Sequence, residues 1–271
     1  MAQYGNQWWA SAGAAGGAWD LSESDADSNT FVLEMENSTA NGNETGAGFG
    51  LTGTNLVATR AGTVGAVDGD GYRTFTDGAM HFTSDWFNAW LPRDSTRITW
   101  NFGMLMKDLG TISNTDHSYF SWIGGTAGAR ADASMYFTHY SGGGTNMRAQ
   151  IANNNAYPVA NYHPTIDFGT IGSTQYVWFG VWSNGTYVRG GWVASDSEPD
   201  SPSEFADFPS TQRFSENYTG TGANYQYWNY SPLYFYSYGN GGQGIGFING
   251  NARGNFKLKK FIASKLQLIE D

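Results

Sequence analysis

Residues 176–195 read YVWFGVWSNGTYVRGGWVAS and carry the clearest structural signal in the chain. Two stretches rich in aromatic and β-branched residues, 176–182 and 186–193, flank Ser183-Asn184-Gly185. Asn-Gly supplies residues that tolerate a positive φ, which the tight turn of a short hairpin loop requires. The segment therefore predicts an antiparallel β-hairpin.

Further strand patterns lie on the N-terminal side of this hairpin. Residues 98–107, ITWNFGMLMK, alternate apolar and polar side chains with the period of a strand that buries one face. Residues 135–140 and 146–151 predict a second hairpin around a glycine-rich turn. Because short strands and Gly, Asn and Asp turns recur along the chain, the sequence predicts an all-β sandwich.

The composition excludes several other classes of protein. The 271 residues include 37 glycines and no cysteine, with 16% aromatic and 14% charged residues. Aromatic residues are too frequent for a disordered chain, which combines low hydrophobicity with high charge. Without cysteine, a disulfide scaffold and a thiolate metal site are both excluded. Glycine costs about 1 kcal/mol at an interior helix position, so a helical bundle is also disfavoured.

The charge and the hydropathy exclude two kinds of partner. The formal net charge of −10 opposes binding to nucleic acid, because such proteins neutralise phosphates with Lys and Arg. One basic cluster, Lys257, Lys259, Lys260 and Lys265, is interpreted as a solvated or edge face of a strand. No stretch approaches the about 18 apolar residues of a membrane span, so membrane insertion is not expected. The acidic, Pro- and Ser-rich residues 195–210 predict a surface loop.

Residues 1–50 are predicted to form an irregular arm, ahead of a sandwich over residues 51–271. Within the arm only residues 30–36, TFVLEME, have a strand pattern. Large aromatic side chains on a Gly- and Ala-rich thread either dock on a neighbouring subunit, where buried Trp and Tyr dominate binding, or fold back onto the sandwich. We predict docking, so the expected assembly anchors are Tyr4, Trp8, Trp9 and Trp19.

Four segments resemble the concanavalin A-like, laminin-G-type jelly roll. They are DGAMHF (77–82), ITWNFGMLMK (98–107), the hairpin 176–195 and FKLKKFIASKLQL (256–268). The resemblance implies a two-sheet antiparallel jelly-roll sandwich. Lectins, glycosidases, adhesion modules and viral spike domains share this fold, so function has to be argued from the site.

One acidic motif is compared with the catalytic pattern of retaining glucanases of this fold, E-x-D-x-x-E. Glu34 matches the first glutamate, Glu36 stands where Asp is expected, and Thr39 replaces the acid/base glutamate. A threonine cannot protonate the leaving oxygen of a sugar. The motif is therefore interpreted as an exposed acidic strand face, and the chain is predicted not to be an enzyme.

Two other segments are candidate binding sites. Asp68 and Asp70, spaced at i and i+2, are a weak candidate site for one structural calcium ion, because Asp-Gly by itself favours a tight turn here. No other cofactor is expected. Aromatic faces stack on sugar rings, so a dense aromatic segment is a candidate glycan-binding surface, with a core strand or a subunit contact as alternatives. Its candidate residues are Tyr225, Tyr227, Trp228 and Tyr230.

Together these features predict a non-enzymatic structural or adhesion protein of a phage virion, such as a tail, fibre or capsid-surface component. It is expected to form a homo-oligomer, to contact other virion proteins and to bind host-surface glycans. The first twenty residues lack the pattern of a secretion signal, so we expect a virion protein assembled in the host cytoplasm. The alternatives are a glycan-active hydrolase of the same fold and a free carbohydrate-binding or adhesion module exported by a signal-independent route.

Overall fold

Antiparallel strands make up most of the computed structural model, which describes residues 17–90, 99–111, 117–124, 132–140, 146–151, 166–170, 175–217, 234–236 and 254–271. The strands are β1 (Thr30–Glu34), β2 (Glu44–Thr45), β3 (Ala47–Gly48), β4 (Val57–Val67), β5 (Arg73–His81), β6 (Thr99–Thr111), β7 (His117–Gly124), β8 (Asp132–Tyr140), β9 (Asn146–Ile151), β10 (Ile166–Thr170), β11 (Tyr176–Asn184), β12 (Tyr187–Ser195), β13 (Arg213–Asn217), β14 (Tyr234–Tyr236) and β15 (Gly254–Ser264). Helix α1 (Ser84–Trp90) and 3₁₀ turns at Glu23–Asp25, Gly53–Leu56 and Phe205–Asp207 complete the described elements.

The first sheet has the strand order β1-β15-β6-β11-β12-β13, and its pairs are antiparallel. The predicted hairpin lies within it, with Tyr176 paired to Ser195 and Gly185 at a φ of +83°. The strand predicted at 98–107 is β6, which runs from Thr99 to Thr111 and pairs with β11 and β15.

The second sheet has the order β4-β5-β14-β7-β8-β9-β10 and is also antiparallel. The other predicted hairpin is β8 and β9, where Tyr140 pairs with Asn146. Hydrogen bonding continues between the sheets because Phe256 on β15 also pairs with Phe75 on β5. The prediction of an all-β, two-sheet antiparallel sandwich is confirmed.

The larger core cluster brings together apolar side chains from both sheets and from α1. In β11 it takes every second residue: Val177, Phe179 and Val181. The indole of Trp86 on α1 stacks on Phe82, with ring centroids 4.5 Å apart and an interplanar angle of 13°. Burial of this apolar area supplies the main driving force for folding.

The intervening residues of the first sheet face away from the second sheet, on what we name the outer face. Trp178, Trp182 and Leu105 belong to a second buried cluster on this side. Two segments distant in sequence, residues 17–26 and 195–210, cover it. The backbone N–H of Ala18 donates to the carbonyl of Pro202 at 2.8 Å, so the two covering segments are tied to each other.

Residues 30–34, within the predicted arm, form a full strand of the first sheet. β1 pairs with β15 from Thr30 opposite Ser264 to Glu34 opposite Lys260. Phe31 belongs to the larger cluster and Val32 to the outer-face cluster, so apolar side chains are buried on both faces of this strand. The strand expected at 30–36 is thus present, and the division of the chain at residue 50 stays a prediction.

Across the described segments, no helix is long and apolar enough to span a bilayer.

Candidate functional site

A group of lysine and tyrosine side chains lies at one end of the outer face, near the start of β11. Lys107 on β6 is the register partner of Tyr176 on β11 and of Lys257 on β15. Tyr72 immediately precedes β5, and Lys259 lies on β15 two residues after Lys257. We name these five residues the basic–aromatic patch.

A β-bulge adds the third lysine of the patch. Leu258 pairs with Met106 and Lys260 pairs with Leu105, so Lys259 is an extra residue without a counterpart on β6. A bulge of this kind re-aims the side chains around it. Of the two alternatives for these lysines, a solvated face describes the partly exposed Lys257 and Lys259. An edge position does not, because β15 is an interior strand flanked by β6 on one side and by β1 and β5 on the other.

The two tyrosine rings of the patch contact each other and two of its lysines. The ring centroids of Tyr72 and Tyr176 are 5.6 Å apart in an edge-to-face arrangement. Lys107 Nζ donates to the Tyr176 hydroxyl at 2.9 Å and lies 4.0 Å from the ring centroid. Lys259 Nζ lies 5.4 Å from the Tyr72 centroid. Cation–π attraction therefore helps to hold the ammonium groups against the rings.

Two carboxylates neutralise two of the three lysines. Glu198, from the covering segment 195–210, accepts a hydrogen bond from the Tyr72 hydroxyl at 2.9 Å. Its two oxygens also accept from Lys259 Nζ, at 3.0 and 2.9 Å. Burial, together with the adjacent Glu198 carboxylate, raises the pKa of Tyr72 far above its usual range. The Tyr72 hydroxyl therefore remains a hydrogen-bond donor throughout the physiological pH range.

Asp68 and Asp70, the predicted calcium ligands, form a tight turn. Asp68 Oδ1 accepts the backbone N–H groups of Asp70 and Tyr72, both at 3.0 Å, while Oδ2 lies 2.6 Å from Lys257 Nζ. Burial favours the neutral acid, but these hydrogen bonds outweigh it and hold the pKa of Asp68 below its usual value. The turn alternative describes this geometry, and calcium binding stays a prediction. In the described part of the chain, no three His, Asp or Glu side chains are grouped to hold a metal ion.

Glu34, the first residue of the glucanase comparison, is half-buried on the outer side of the first sheet. Its Oε1 lies 3.4 Å from Lys260 Nζ. The carboxylates of Glu23 and Glu34 each accept the other residue's backbone N–H, at 3.2 and 3.1 Å. Burial raises the pKa of Glu23. Glu36 is exposed, so the interpretation as an exposed acidic face describes Glu36 but not Glu34.

A buried ion pair lies next to this motif, and none of the sequence motifs above predicts it. Arg73 Nε lies 2.9 Å from Glu44 Oε1, with side chains 0% and 3% exposed. Arg73 also donates to the carbonyls of Asn37 and Thr39 at 2.6 and 3.2 Å, and so fixes the loop before β2. Burial raises the pKa of Glu44, although the attraction of Arg73 acts to lower it. One feature of the sequence indicates that Arg73 is buried: it shares one face of a strand with Phe75, which is buried.

Trp19, predicted to dock on a neighbouring subunit, is fully buried within this chain. Its indole covers Gly103 and Gly180, which are register partners on β6 and β11. A Cβ added at Gly103 would lie 2.5 Å from the indole ring, and one at Gly180 would also collide with it. The fold-back alternative therefore describes Trp19, since its indole has no exposed face to offer a partner.

Further contacts fix the orientation of the Trp19 indole. Trp19 Nε1 donates to Asn101 Oδ1 at 2.9 Å, and its backbone N–H donates to Ser201 Oγ at 2.8 Å. The ring centroids of Trp178 and Phe208 lie 6.0 and 5.8 Å from that of Trp19. The segment 195–210, predicted as a surface loop, thus contributes the buried Phe208 to the outer-face cluster.

The remaining predicted site residues lie outside the described residues, and their roles stay predictions. They are the glycan-binding candidates Tyr225, Tyr227, Trp228 and Tyr230 and the assembly anchors Tyr4, Trp8 and Trp9.

Comparison with known proteins gives similarity in structure alone. No protein-family model matches the sequence, and no curated protein matches it. A polysaccharide lyase family-7 alginate lyase, A1-II′, is 12% identical and aligns over 88% of this chain and 95% of its own, with a TM-score of 0.43. The sialidase of Trypanosoma rangeli is 9% identical over 88% of this chain and 30% of its own, with a TM-score of 0.48.

A third similar structure is the enzymatically active domain of tailspike protein 2 from bacteriophage CBA120. It is 11% identical over 69% of this chain and 24% of its own, with a TM-score of 0.41. At these identities the likeness shows the fold alone. All three similar structures are enzymes, so the prediction that the chain is not an enzyme is corrected. This sandwich gives no ground for excluding catalysis.

Proposed function

We propose that the chain binds a polysaccharide through the basic–aromatic patch, as a protein of a virion or of the extracellular space. One observation carries the proposal: three lysine ammonium groups and the half-buried ring of Tyr176 share one end of a sheet face, and the buried ring of Tyr72 lies beside them. The side chains of Lys257 and Lys259 are 27% and 33% exposed, so ligands reach them from solvent. Of the two rings, that of Tyr176 is placed to pack against the apolar face of a sugar, and the polar groups around it fix the orientation.

Assembly belongs to the same proposal. A homo-oligomer held to other virion proteins would present several patches to one polysaccharide chain. Linked sites of this kind bind with an avidity greater than the affinity of any single site. The expected contacts are the aromatic anchors Tyr4, Trp8 and Trp9.

Tyr176→Ala tests the binding surface. The variant removes a ring from the patch and the hydroxyl that holds Lys107. We expect polysaccharide binding to weaken about tenfold, which corresponds to about 1.4 kcal/mol of binding free energy. The measurement is retardation in native gels cast with a panel of neutral and acidic polysaccharides.

Tyr187→Ala is the matched control, because Tyr187 starts β12 at the turn end of the same hairpin, opposite the end that bears Tyr176. It should leave retardation unchanged. Equal retardation of the two variants, or no retardation of the wild-type protein by any polysaccharide, would show that the patch is not a polysaccharide-binding site.

Cleavage of the bound polysaccharide is a second candidate function, and the Lys107–Tyr176 contact favours it. Because the Tyr176 oxygen accepts from the Lys107 ammonium group at 2.9 Å, its own hydroxyl proton can be donated to the leaving oxygen when water cleaves the bond, and the phenolate then regains a proton from that water. Tyr176→Phe removes the hydroxyl and keeps the ring. Size-exclusion chromatography of the polysaccharide should then show cleavage slowed about a hundredfold or more, with binding retained. Cleavage at the wild-type rate would exclude Tyr176 from this role.

A further inference from the structure

We infer that the polysaccharide carries carboxylate groups and that Glu198 occupies the place of one of them in the free protein. This inference rests on the proposed binding function and names the ligand class of the same patch. Its basis is the way in which the patch holds a carboxylate of its own chain.

The Glu198 carboxylate is surrounded as a bound acidic ligand would be. Tyr72 donates its hydroxyl to one oxygen at 2.9 Å, and Lys259 Nζ reaches both oxygens at 2.9 and 3.0 Å. Hydrogen bonds that involve an ionised partner are among the stronger ones in proteins. One ammonium group and one hydroxyl donor therefore converge on a single carboxylate, and a sugar carboxylate presents the same two acceptor oxygens.

Glu198 is able to leave without disturbing the core of the covering segment. Its side chain is 40% exposed, and the segment is fixed immediately after it, where Trp178 Nε1 donates to the carbonyl of Pro199 at 3.1 Å. Pro202 and Phe208 are buried further along. When a ligand carboxylate takes the place of Glu198, one ion pair with Lys259 replaces another. A neutral chain bound at this place would leave Lys259 without a partner, and a carboxylated chain avoids that cost.

The neighbouring charges extend the site to a chain with several carboxylates. Lys257 is paired with Asp68, whereas Lys107 donates to the Tyr176 hydroxyl. A ligand that reaches Lys259 with one carboxylate is thus able to reach Lys107 with another. Because the whole chain has a net charge of −10, such a ligand binds only where lysines are concentrated, and its binding should weaken with added salt.

Glu198→Gln is the decisive variant. Loss of the internal competitor should raise the affinity for a carboxylated polysaccharide about two- to fivefold, the range expected for one partly exposed ion pair. Asp200→Asn removes the same charge from an exposed position of the same segment and should leave affinity unchanged. In the double variant Glu198→Gln with Lys259→Gln, the gain should disappear because the lysine for which Glu198 competes is absent.

Isothermal titration with four probes completes the test: polygalacturonate, polysialate, dextran sulfate and neutral dextran. Binding of either carboxylated probe above both others supports the inference, and the preferred one identifies the sugar acid as a uronate or a sialate. Tighter binding of dextran sulfate, or equal gains in Glu198→Gln and Asp200→Asn, would overturn it. Dextran binding that is weakened by Tyr176→Ala but indifferent to Glu198→Gln would overturn the inference and leave the binding function standing.

Discussion

Replacement of Trp19 by alanine is expected to lower the free energy of unfolding by about 3–5 kcal/mol. The indole is fully buried, and its removal leaves a cavity above Gly103 and Gly180 while Asn101 Oδ1 loses its donor. Neither glycine has a side chain with which to fill the space, so the surroundings collapse little. Chemical denaturation followed by far-UV circular dichroism measures the loss.

Gly103→Ala is the second variant of a double-mutant cycle with Trp19→Ala. The three nearest atoms to a Cβ at this position all belong to the Trp19 ring. Alanine at 103 should therefore destabilise the wild-type protein by about 1–3 kcal/mol through overpacking and cost much less when residue 19 is alanine. Additive costs would mean that the indole does not lie over Gly103.

Glu44→Ala should be nearly as costly, at about 3–5 kcal/mol, because it leaves the fully buried Arg73 guanidinium without a counter-charge. The wild-type protein should also show a characteristic pH dependence. Burial raises the pKa of Glu44 above its ordinary value of 4.5, so the folded state binds the proton more tightly than the unfolded state. This contribution to stability therefore falls as pH rises from that value through the folded pKa, and Glu44→Ala should lack that component.

Asp271→Ala is the control for the buried pair. It breaks an Arg–carboxylate pair with Arg189 in which the two side chains are 17% and 49% exposed. A partly exposed pair contributes about 0–1 kcal/mol, so this variant should unfold almost as the wild type does. Similar losses in the two variants would show that burial does not set the energy of the Glu44–Arg73 pair.

Local sequence patterns are enough to predict the strands and hairpins of the sandwich. Asn184-Gly185 specifies its turn through backbone preference, and the alternation in 98–107 specifies a buried face, so both were predictable from neighbouring residues. The position of Trp19 was not. It depends on two glycines that meet only when β6 and β11 pair in one register, and isolated glycines in strands otherwise indicate a bulge or a close approach of backbone.

The basic–aromatic patch was partly visible in the sequence. Lys257 and Lys259 belong to a lysine cluster in the sequence, and the Asp-Gly pattern predicts a tight turn at residue 68. Their association with Tyr72, Lys107 and Glu198 depends on strand pairing over long sequence distances and on the bulge at Lys259. Acidic composition indicated a solvent loop at 195–210, but its Phe208 carries enough apolar surface to be buried on the outer face.

The position of β15 constrains the order of events when the protein is made. Its register partners are β6 on one side and β1 and β5 on the other, so a strand far along the chain from β1 and β6 completes the interior of the first sheet. On a ribosome, β1 and β6 remain without this shared neighbour until residues 254–264 have emerged. Pairings between such distant residues slow folding and leave strand edges open meanwhile. Nascent chains of this protein should therefore depend on protection from aggregation until β15 has emerged.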